Sequence, residues 1–237
     1  MPKENVSLFE IFGPVIIGPS SSHTAGVGRI AFLARKMFGS VPGRVIVRFY
    51  GSLAATWKGH GSGNAVAAGL LGIPPEDERL FQGMALLRDI QARGEGFPVE
   101  VVPVFDAPRS WHPNTVVLEL LGGRGEVQKR LAIRASSIGG GSIRLDEING
   151  YQVNLSGELE AVLVLHHDEI GVIADVSHIL AAGRINIAAT SSHRKEKGEE
   201  ALLVVETDGA IPYPLVQQIQ ALPQVTLLIR VPSIEGI

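Results

Sequence analysis

The apolar positions after Thr24 form a clear helical signal in the first half of the chain. Apolar residues recur there at intervals of three and four, at Val27, Ile30, Ala31, Ala34 and Phe38. This spacing predicts a helix with one buried face. The polar residues 20–24 come directly before it, and Ser22 or Thr24 is placed to cap its free N–H groups.

Alternating apolar runs predict a sheet in the rest of the first half. Strands are predicted at residues 44–50, 99–105, 115–121, 127–135 and 143–153. Helices are predicted at residues 65–71 and 76–93, and glycine-rich loops or turns at residues 51–64 and 136–142. Strands and helices in this mixture predict a domain with helices packed on a sheet.

The pattern becomes more regular after a plausible boundary at residues 152–157. Strands are predicted at residues 160–165, 185–191, 201–206 and 225–231, and helices at residues 171–182 and 212–222. The buried face of the first helix is predicted to hold Val172, Ile173, Val176, Ile179 and Leu180. The order is β-α-β-β-α-β, which predicts a ferredoxin-like fold. We therefore expect an α+β protein with domains at residues 1–152 and 158–232.

Composition narrows the classes of partner. The chain has 237 residues, of which 45% are hydrophobic and 19% charged, so it can bury a core. Its net charge is −3 and it has no basic run, which argues against nucleic acid and anionic membranes as partners. We see no signal peptide or long apolar span, so we expect a cytoplasmic protein. The absence of cysteine excludes disulfides, a thiol nucleophile and thiolate metal ligands within this chain.

Two histidines lie at predicted helix starts. His23 stands among the hydroxyls of residues 20–24, and His60 stands among the glycines and polar residues of 59–64. The start of a helix attracts anions, and imidazole exchanges protons near neutral pH. The two segments therefore predict a shared polar pocket that suits a small acid.

Other interpretations of these residues stay open or fit less well. The serines can be ordinary caps beside a satisfied histidine. The segment at residues 112–115 either adds the Asn114 amide and the His112 imidazole to the pocket or forms a simple turn. No GxSxG elbow, P-loop, GxGxxG or HExxH spacing is present, and Lys58 is the lysine near these residues that a pyridoxal enzyme could use. The adjacent His166 and His167 are expected to point to opposite faces of a strand.

Several motifs together resemble the beta subunit of iron–sulfur L-serine dehydratases, over essentially the whole chain. They are Ile17-Gly18-Pro19-Ser20-Ser21-Ser22-His23-Thr24 with Gly28-Arg29, Gly51-Ser52-Leu53, Lys58-Gly59-His60-Gly61, His112-Pro113-Asn114-Thr115 and Ser137-Ile138-Gly139-Gly140-Gly141. The resemblance implies a first domain like the allosteric substrate-binding domain of some phosphoglycerate dehydrogenases. The second domain resembles an ACT domain through residues 166–174 and 186–188.

The family resemblance implies conversion of L-serine to pyruvate and ammonia, in amino-acid catabolism and gluconeogenesis. The cofactor is a [4Fe–4S] cluster without pyridoxal phosphate, in which one iron acts as a Lewis acid. The cluster cysteines are expected in an alpha subunit, because this chain has none and holds no metal itself. The resemblance assigns proton transfer to His23 and His60. It assigns substrate binding to Ser20, Ser21, Ser22, Thr24, Gly61, Ser62, Asn64 and Asn114.

The ACT-like domain implies regulation and assembly. The resemblance places a regulatory ligand at the loop after the first strand, on His167, Asp168, Gly171 and Val172, with Asn186 opposite. It also implies a homodimer or a higher assembly through this domain, and a pure dimerisation module without a ligand remains an equal alternative. An alternative for the whole chain is a non-catalytic amino-acid-binding regulatory protein.

Overall fold

The computed structural model describes residues 20–122, 129–194 and 196–234. Contacts within the chain divide it into two compact units, Met1–Asn154 and Leu155–Ile237, which are described separately. In the described ranges, no helix has both the length and the apolar character needed to cross a bilayer.

The first unit is built on a six-stranded sheet with the strand order β2-β1-β3-β4-β5-β6. The strands are β1 (Arg44–Tyr50), β2 (Val99–Val104), β3 (Thr115–Leu121), β4 (Arg130–Gly139), β5 (Ser142–Ile148) and β6 (Tyr151–Leu155). Strands β1 and β2 are parallel, whereas β1 with β3, β3 with β4 and β4 with β5 are antiparallel. As the alternation predicts, one face of the sheet is apolar and buried, including Val45, Val47, Phe49, Leu118 and Ile133.

The described part of this unit contains four α-helices. They are α1 (Gly26–Phe38), α2 (Gly51–Thr56), α3 (Ser62–Leu70) and α4 (Gly83–Ala92), with a short 3₁₀-helix at Glu78–Gln82 before α4. Helix α1 contacts β3, β4 and β5, and it packs against α3. The apolar stripe predicted for α1 is confirmed, because Val27, Ile30, Ala31, Ala34 and Phe38 are all buried.

A glycine lets α1 and α3 approach closely. A Cβ atom on Gly69 would lie 2.6 Å from the carbonyl oxygen of Gly28 and 2.7 Å from the amide nitrogen of Phe32. Real Cβ atoms do not approach backbone atoms so closely, so a glycine is required at this crossing. The crossing brings the two helices that follow His23 and His60 side by side.

The sequence predicted a glycine-rich loop over residues 51–64. In the structure, part of this segment is helical. Gly51–Thr56 form helix α2, and α3 begins at Ser62 rather than at Ala65. Gly51 has a φ of +55°, and its missing Cβ leaves room for the carbonyl of Pro113. The turn into α2 therefore depends on a tertiary contact that local spacing does not reveal.

Four other predicted elements have different bounds. The helix predicted over residues 76–93 is interrupted at Gly83, where a Cβ would collide with the backbone of Asn64 and Ala68. The turn predicted at 136–142 is confined to Gly140 and Gly141, because β4 continues to Gly139. The strand predicted over 143–153 is two strands joined by Asn149 and Gly150, both with positive φ. The strand predicted at 127–135 begins at Arg130, and its first two residues lie outside the described part of the chain.

The second unit has the predicted β-α-β-β-α-β order. Its elements are β7 (Glu160–His167), α5 (Val172–Ala182), β8 (Ile187–Arg194), β9 (Glu200–Thr207), α6 (Tyr213–Gln220) and β10 (Val225–Val231). The strands form an antiparallel sheet in the order β10-β7-β9-β8. A core cluster joins strand and helix residues, among them Val162, Val164, Val176, Leu180 and Ile219. This arrangement confirms the ferredoxin-like fold.

Two details of this unit differ from the prediction. Ile173 is 50% exposed and is therefore not on the buried face of α5, which holds Val172, Val176 and Leu180. The second strand begins at Ile187 and not at Ile185, since the amide of Ile185 bonds the carbonyl of Leu180 and closes the end of α5. His166 and His167 do point to opposite faces, since His166 is buried and His167 is exposed.

Candidate active site

His23 lies in one turn of π-helix, Ser21–Ala25, immediately before α1. The amide of Gly26 donates to the carbonyl of Ser21, which closes this wide turn. The cap is Ser20, whose Oγ accepts from the backbone N–H of His23 at 3.1 Å. The prediction that Ser22 or Thr24 caps the helix is therefore wrong, because the π-helical turn starts the helical segment earlier. Such turns are frequent at functional sites.

Both nitrogens of the His23 ring have hydroxyl partners. Nδ1 lies 3.1 Å from Ser20 Oγ and 3.0 Å from Ser22 Oγ, and Nε2 lies 2.9 Å from Ser52 Oγ. The His60 ring lies beside the His23 ring, with 4.9 Å between the two ring centroids. The predicted pairing of the two histidines in one site is thus present in the structure.

The hydroxyls of Thr24 and Ser62 tie the two histidine segments together. Thr24 Oγ1 donates to the carbonyl of His60 at 2.8 Å, and Ser62 Oγ donates to the carbonyl of His23 at 2.6 Å. Both hydroxyl-bearing residues are fully buried. They complete the pocket as its internal supports, and they are not exposed to a ligand.

Asn114 enters the site through Ser52. Ser52 Oγ donates to Asn114 Oδ1 at 2.5 Å, and Asn114 Nδ2 donates to the carbonyl of Ser137 at 3.4 Å. His112 takes part in the turn of this segment, because its Nδ1 accepts from the backbone N–H of Asn114 at 3.1 Å. Sequence reasoning assigned no role to Ser52 or Ser137. The signal for Ser52 was its place two residues after the end of β1, directly after Gly51.

Of the other predicted residues, Ser21 is the first residue of the π-helical turn, and Gly61 and Asn64 follow His60. Gly61 has a φ of +69° and precedes α3. Asn64 is tied elsewhere, since its Oδ1 accepts from the backbone N–H of Met84 at the start of α4. His60 Nδ1 and Ser137 Oγ are buried and have no hydrogen-bond partner within the described residues. The unpartnered His60 Nδ1 belongs to the histidine pair and lacks the hydrogen bond that buried polar atoms usually have.

Burial lowers the pKa of His23 below its ordinary value, and the neighbouring His60 lowers it further. Desolvation of the ring is the larger cause, and repulsion between two imidazolium ions is the smaller one. The neutral form of His23 is therefore favoured at neutral pH. A neutral imidazole has a lone pair that can accept a proton.

The chemistry of the side chains does not provide a site for an iron–sulfur cluster. The chain has no cysteine, and thiolates are the usual ligands of such clusters. Among the described residues, no group of three or more histidine and carboxylate side chains is arranged to hold a metal ion.

In the second unit, the loop between β7 and α5 is tied to the turn between β8 and β9. Asp168 Oδ2 accepts from the amide of Gly198 at 3.0 Å and from Arg194 at 3.3 Å, and these contacts lower the pKa of this carboxyl. Gly171, with a φ of +105°, precedes α5, while the side chain of Val172 is buried in the core.

Asn186 does not lie opposite this loop within one chain. It precedes Ile187, which pairs with Thr207, and Thr207 pairs with Glu160 at the start of β7. The loop follows His167 at the other end of that strand, and the Asn186 side chain bonds Asp208 at 2.5 Å. The expectation of a single site formed by the loop and Asn186 is therefore wrong for the isolated chain, because β7 and β8 run parallel.

The fold and the pocket define a two-unit α+β protein, with paired histidines at two helix starts and a ferredoxin-like second unit. The family model for the serine dehydratase beta chain matches residues 7–148, and the model for the ACT domain matches residues 161–224. The chain belongs to the serine dehydratase beta chain family and carries an ACT domain.

Three relatives show how far the similarity extends. The probable L-serine dehydratase beta chain of Bacillus subtilis (strain 168) is 40% identical over 229 residues, covering 95% of this chain and 97% of the relative. The L-serine dehydratase beta chain of Peptoniphilus asaccharolyticus is 31% identical over 220 residues, covering 93% and 95%. L-serine dehydratase 2 of Escherichia coli (strain K12) is 33% identical over 164 residues, covering 62% of this chain but 35% of that protein.

Proposed function

We propose that this chain is the beta subunit of a two-subunit L-serine dehydratase that converts L-serine to pyruvate and ammonia. The observation that carries the proposal is the pairing of His23 and His60, with ring centroids 4.9 Å apart at the starts of two helices. Binding alone does not require two imidazoles, whereas removal of an α-proton requires a base. The names of the two beta-chain relatives support the same reaction.

In this proposal the chain contributes proton transfer and substrate binding. The lowered pKa of His23 keeps its ring neutral, so it can accept the α-proton of serine. The hydroxyls of Ser20 and Ser22 lie at the same ring and are placed to bind the substrate carboxylate. The unpartnered Nδ1 of His60 is the second atom available for proton exchange or substrate orientation.

The proposal places the [4Fe–4S] cluster, which polarises the leaving hydroxyl when bound, on an alpha subunit. This chain has no cysteine to bind it. The beta-chain names of the two relatives from Bacillus subtilis and Peptoniphilus asaccharolyticus support this division. The active enzyme is therefore proposed to require both chains, with pyridoxal phosphate playing no part.

The test is an anaerobic assay of the full-length chain, alone and co-expressed with a cysteine-bearing alpha chain. Both preparations are reconstituted with iron and sulfide, given L-serine, and followed for pyruvate. Pyruvate from the pair and none from the single chain is the expected result. A cluster-loaded pair that is inert toward both L-serine and L-threonine contradicts the proposal and favours an amino-acid-binding regulator.

The ACT domain is proposed to assemble the protein and to bind a regulatory amino acid. Its edge strand β8 supports assembly, because the side chains from Ala188 to Arg194 are exposed on both faces of the sheet. An exposed edge strand offers unpaired N–H and C=O groups to a second copy. For the ligand, the loop from His167 to Gly171 supplies polar side chains and a helix start. Calorimetric titration of the chain with L-serine and other amino acids tests this second role.

A further inference from the structure

We infer that Ser52 and Asn114 are positioning residues that hold His23 with its proton on Nε2, leaving Nδ1 as the basic atom. The catalytic consequence of this inference rests on the proposed function, whereas the position of the proton does not. Neither residue is required to touch the substrate. Each acts through the imidazole of His23.

The carbonyl of Ser137 sets the orientation of the Asn114 side-chain amide. Its Nδ2 lies 3.4 Å from the carbonyl oxygen of Ser137, which can only accept a hydrogen bond. The amide of Ser137 donates to the carbonyl of Asn114 at 3.0 Å, so the two residues hold each other in register. The side-chain nitrogen therefore faces Ser137, and the side-chain oxygen faces Ser52.

The direction of the Ser52 hydroxyl follows from that orientation. Asn114 Oδ1 can only accept, so at 2.5 Å the Ser52 hydroxyl must donate its single proton to it. Ser52 Oγ then has only lone pairs left for His23 Nε2, which lies 2.9 Å away. A nitrogen that bonds a lone pair must carry the proton, so His23 is protonated on Nε2.

The backbone fixes the position of Ser52. Its amide donates to the carbonyl of Pro113 at 2.8 Å, and a Cβ on the preceding Gly51 would lie 2.4 Å from that same carbonyl oxygen. The start of α2 is thus held against the segment that carries Asn114. The hydroxyl and the amide meet as a result of this close backbone contact.

With the proton on Nε2, the lone pair of neutral His23 is on Nδ1, between Ser20 and Ser22. Both hydroxyls lie within 3.1 Å of that nitrogen, but one lone pair accepts one strong hydrogen bond. The other hydroxyl is therefore free to donate to a ligand. A substrate must present its α-proton on the Ser20 and Ser22 side of the ring, and not on the Ser52 side.

Nuclear magnetic resonance of the full chain labelled with ¹⁵N-histidine tests the proton position without any activity. In the native chain we expect the His23 nitrogens to show the Nε2–H form, with a slowly exchanging Nε2 proton. In Ser52→Ala we expect fast exchange of that proton and a larger share of the Nδ1–H form. Ser52→Thr keeps a hydroxyl and should restore the native signal.

Thr56→Val is the matched control, because Thr56 lies on the same short helix and its Oγ1 bonds the carbonyl of Ser52 at 2.7 Å. That variant should leave the His23 signals unchanged. An Nδ1–H form in the native chain overturns the inference. So does a Ser52→Ala spectrum identical to the native one, or a change equally large in Thr56→Val.

Kinetics of the assembled enzyme test the catalytic consequence. Ser52→Ala is expected to lower kcat by at least about tenfold with a smaller change in KM, since a wrongly oriented base slows the chemical step. Ser52→Thr should recover most of the rate, and Thr56→Val should retain it. If the native assembly has no dehydratase activity, the proposed function fails while the resonance experiment still decides the inference.

Discussion

The hydroxyl of Thr24 donates a hydrogen bond to the carbonyl oxygen of His60 at 2.8 Å. Ser62, two residues after His60, donates in turn to the carbonyl of His23 at 2.6 Å. Each histidine is thus held by a residue from the other helix start. This reciprocal pair of bonds explains why two imidazoles from separate segments lie 4.9 Å apart.

Loss of either bond is expected to destabilise the first unit. Thr24→Val keeps the shape of the buried side chain but removes its hydrogen bond to the carbonyl of His60, which costs about 1 kcal/mol in the free energy of unfolding. Urea denaturation measures this cost. Gln218→Ala, at an exposed position on α6 in the second unit, is the control and should change stability by less than about 0.5 kcal/mol. Equal stabilities of the two variants would contradict the structural role of Thr24.

Replacement of the histidines should abolish turnover while the chain stays folded. His23→Asn and His60→Asn are each expected to lower kcat of the assembled enzyme by about 10²–10⁴-fold, the usual contribution of a general acid or base. His178→Asn alters an exposed histidine in the second unit and should leave the rate unchanged. Native turnover in either pocket variant removes that residue from the mechanism.

The pH dependence of stability should reveal the lowered pKa of His23. Burial, and secondly His60, keep this pKa below the value of about 6.5 that applies in the unfolded chain. Below pH 6.5 the unfolded chain binds the proton more readily, so the free energy of unfolding falls until the pH passes the lower, folded pKa. Above pH 6.5 the His23 ring is neutral in both the folded and the unfolded chain, so the free energy of unfolding is no longer reduced by this titration.

Urea unfolding at a series of pH values, with His23→Asn as the reference, isolates this contribution. A resonance titration of His23 gives its pKa directly. In His60→Gln the pKa of His23 should rise part of the way, because burial, the larger cause, remains. A His23 ring that titrates above pH 6.5 in the native chain is incompatible with this prediction.

The helix crossing at Gly69 is expected to tolerate no side chain. Gly69→Ala places a Cβ against backbone atoms of Gly28 and Phe32 in α1, and overpacking of this kind costs about 1–3 kcal/mol or more. Gly59→Ala is the matched control, since its Cβ would meet one atom, at 3.8 Å. Thermal melting of the two variants compares them. A larger loss in Gly59→Ala would contradict the packing described for α1 and α3.

Assembly through β8 can be tested by adding positive charges to this strand. Thr190→Lys with Ser192→Lys adds two exposed positive charges to the edge strand, where like charges on two copies repel each other. We expect a smaller sedimentation coefficient with an unchanged melting temperature. Gln217→Lys with Gln218→Lys, at exposed positions on α6, is the control. If only the α6 variant dissociates the assembly, the copies pair through helices.

The sequence alone determined the periodic elements and the chemical inventory. Strand β1, the buried stripe of α1 and the β-α-β-β-α-β order of the second unit follow from local apolar spacing, since each period is set by the backbone geometry of its own element. The histidines at two helix starts and the lack of cysteine are also visible in the sequence. These features sufficed to predict the ferredoxin-like fold and a shared site for His23 and His60.

Tertiary structure decided the elements and contacts that depend on distant residues. Helix α2 and the role of Ser52 depend on the carbonyl of Pro113, and the start of α4 is held by Asn64, whose Oδ1 accepts from the amide of Met84. The strand pairing likewise separates Asn186 from the loop after His167. Hydrogen-bond direction and steric exclusion act between atoms close in space. Local sequence therefore names the groups, and packing alone determines which of them meet.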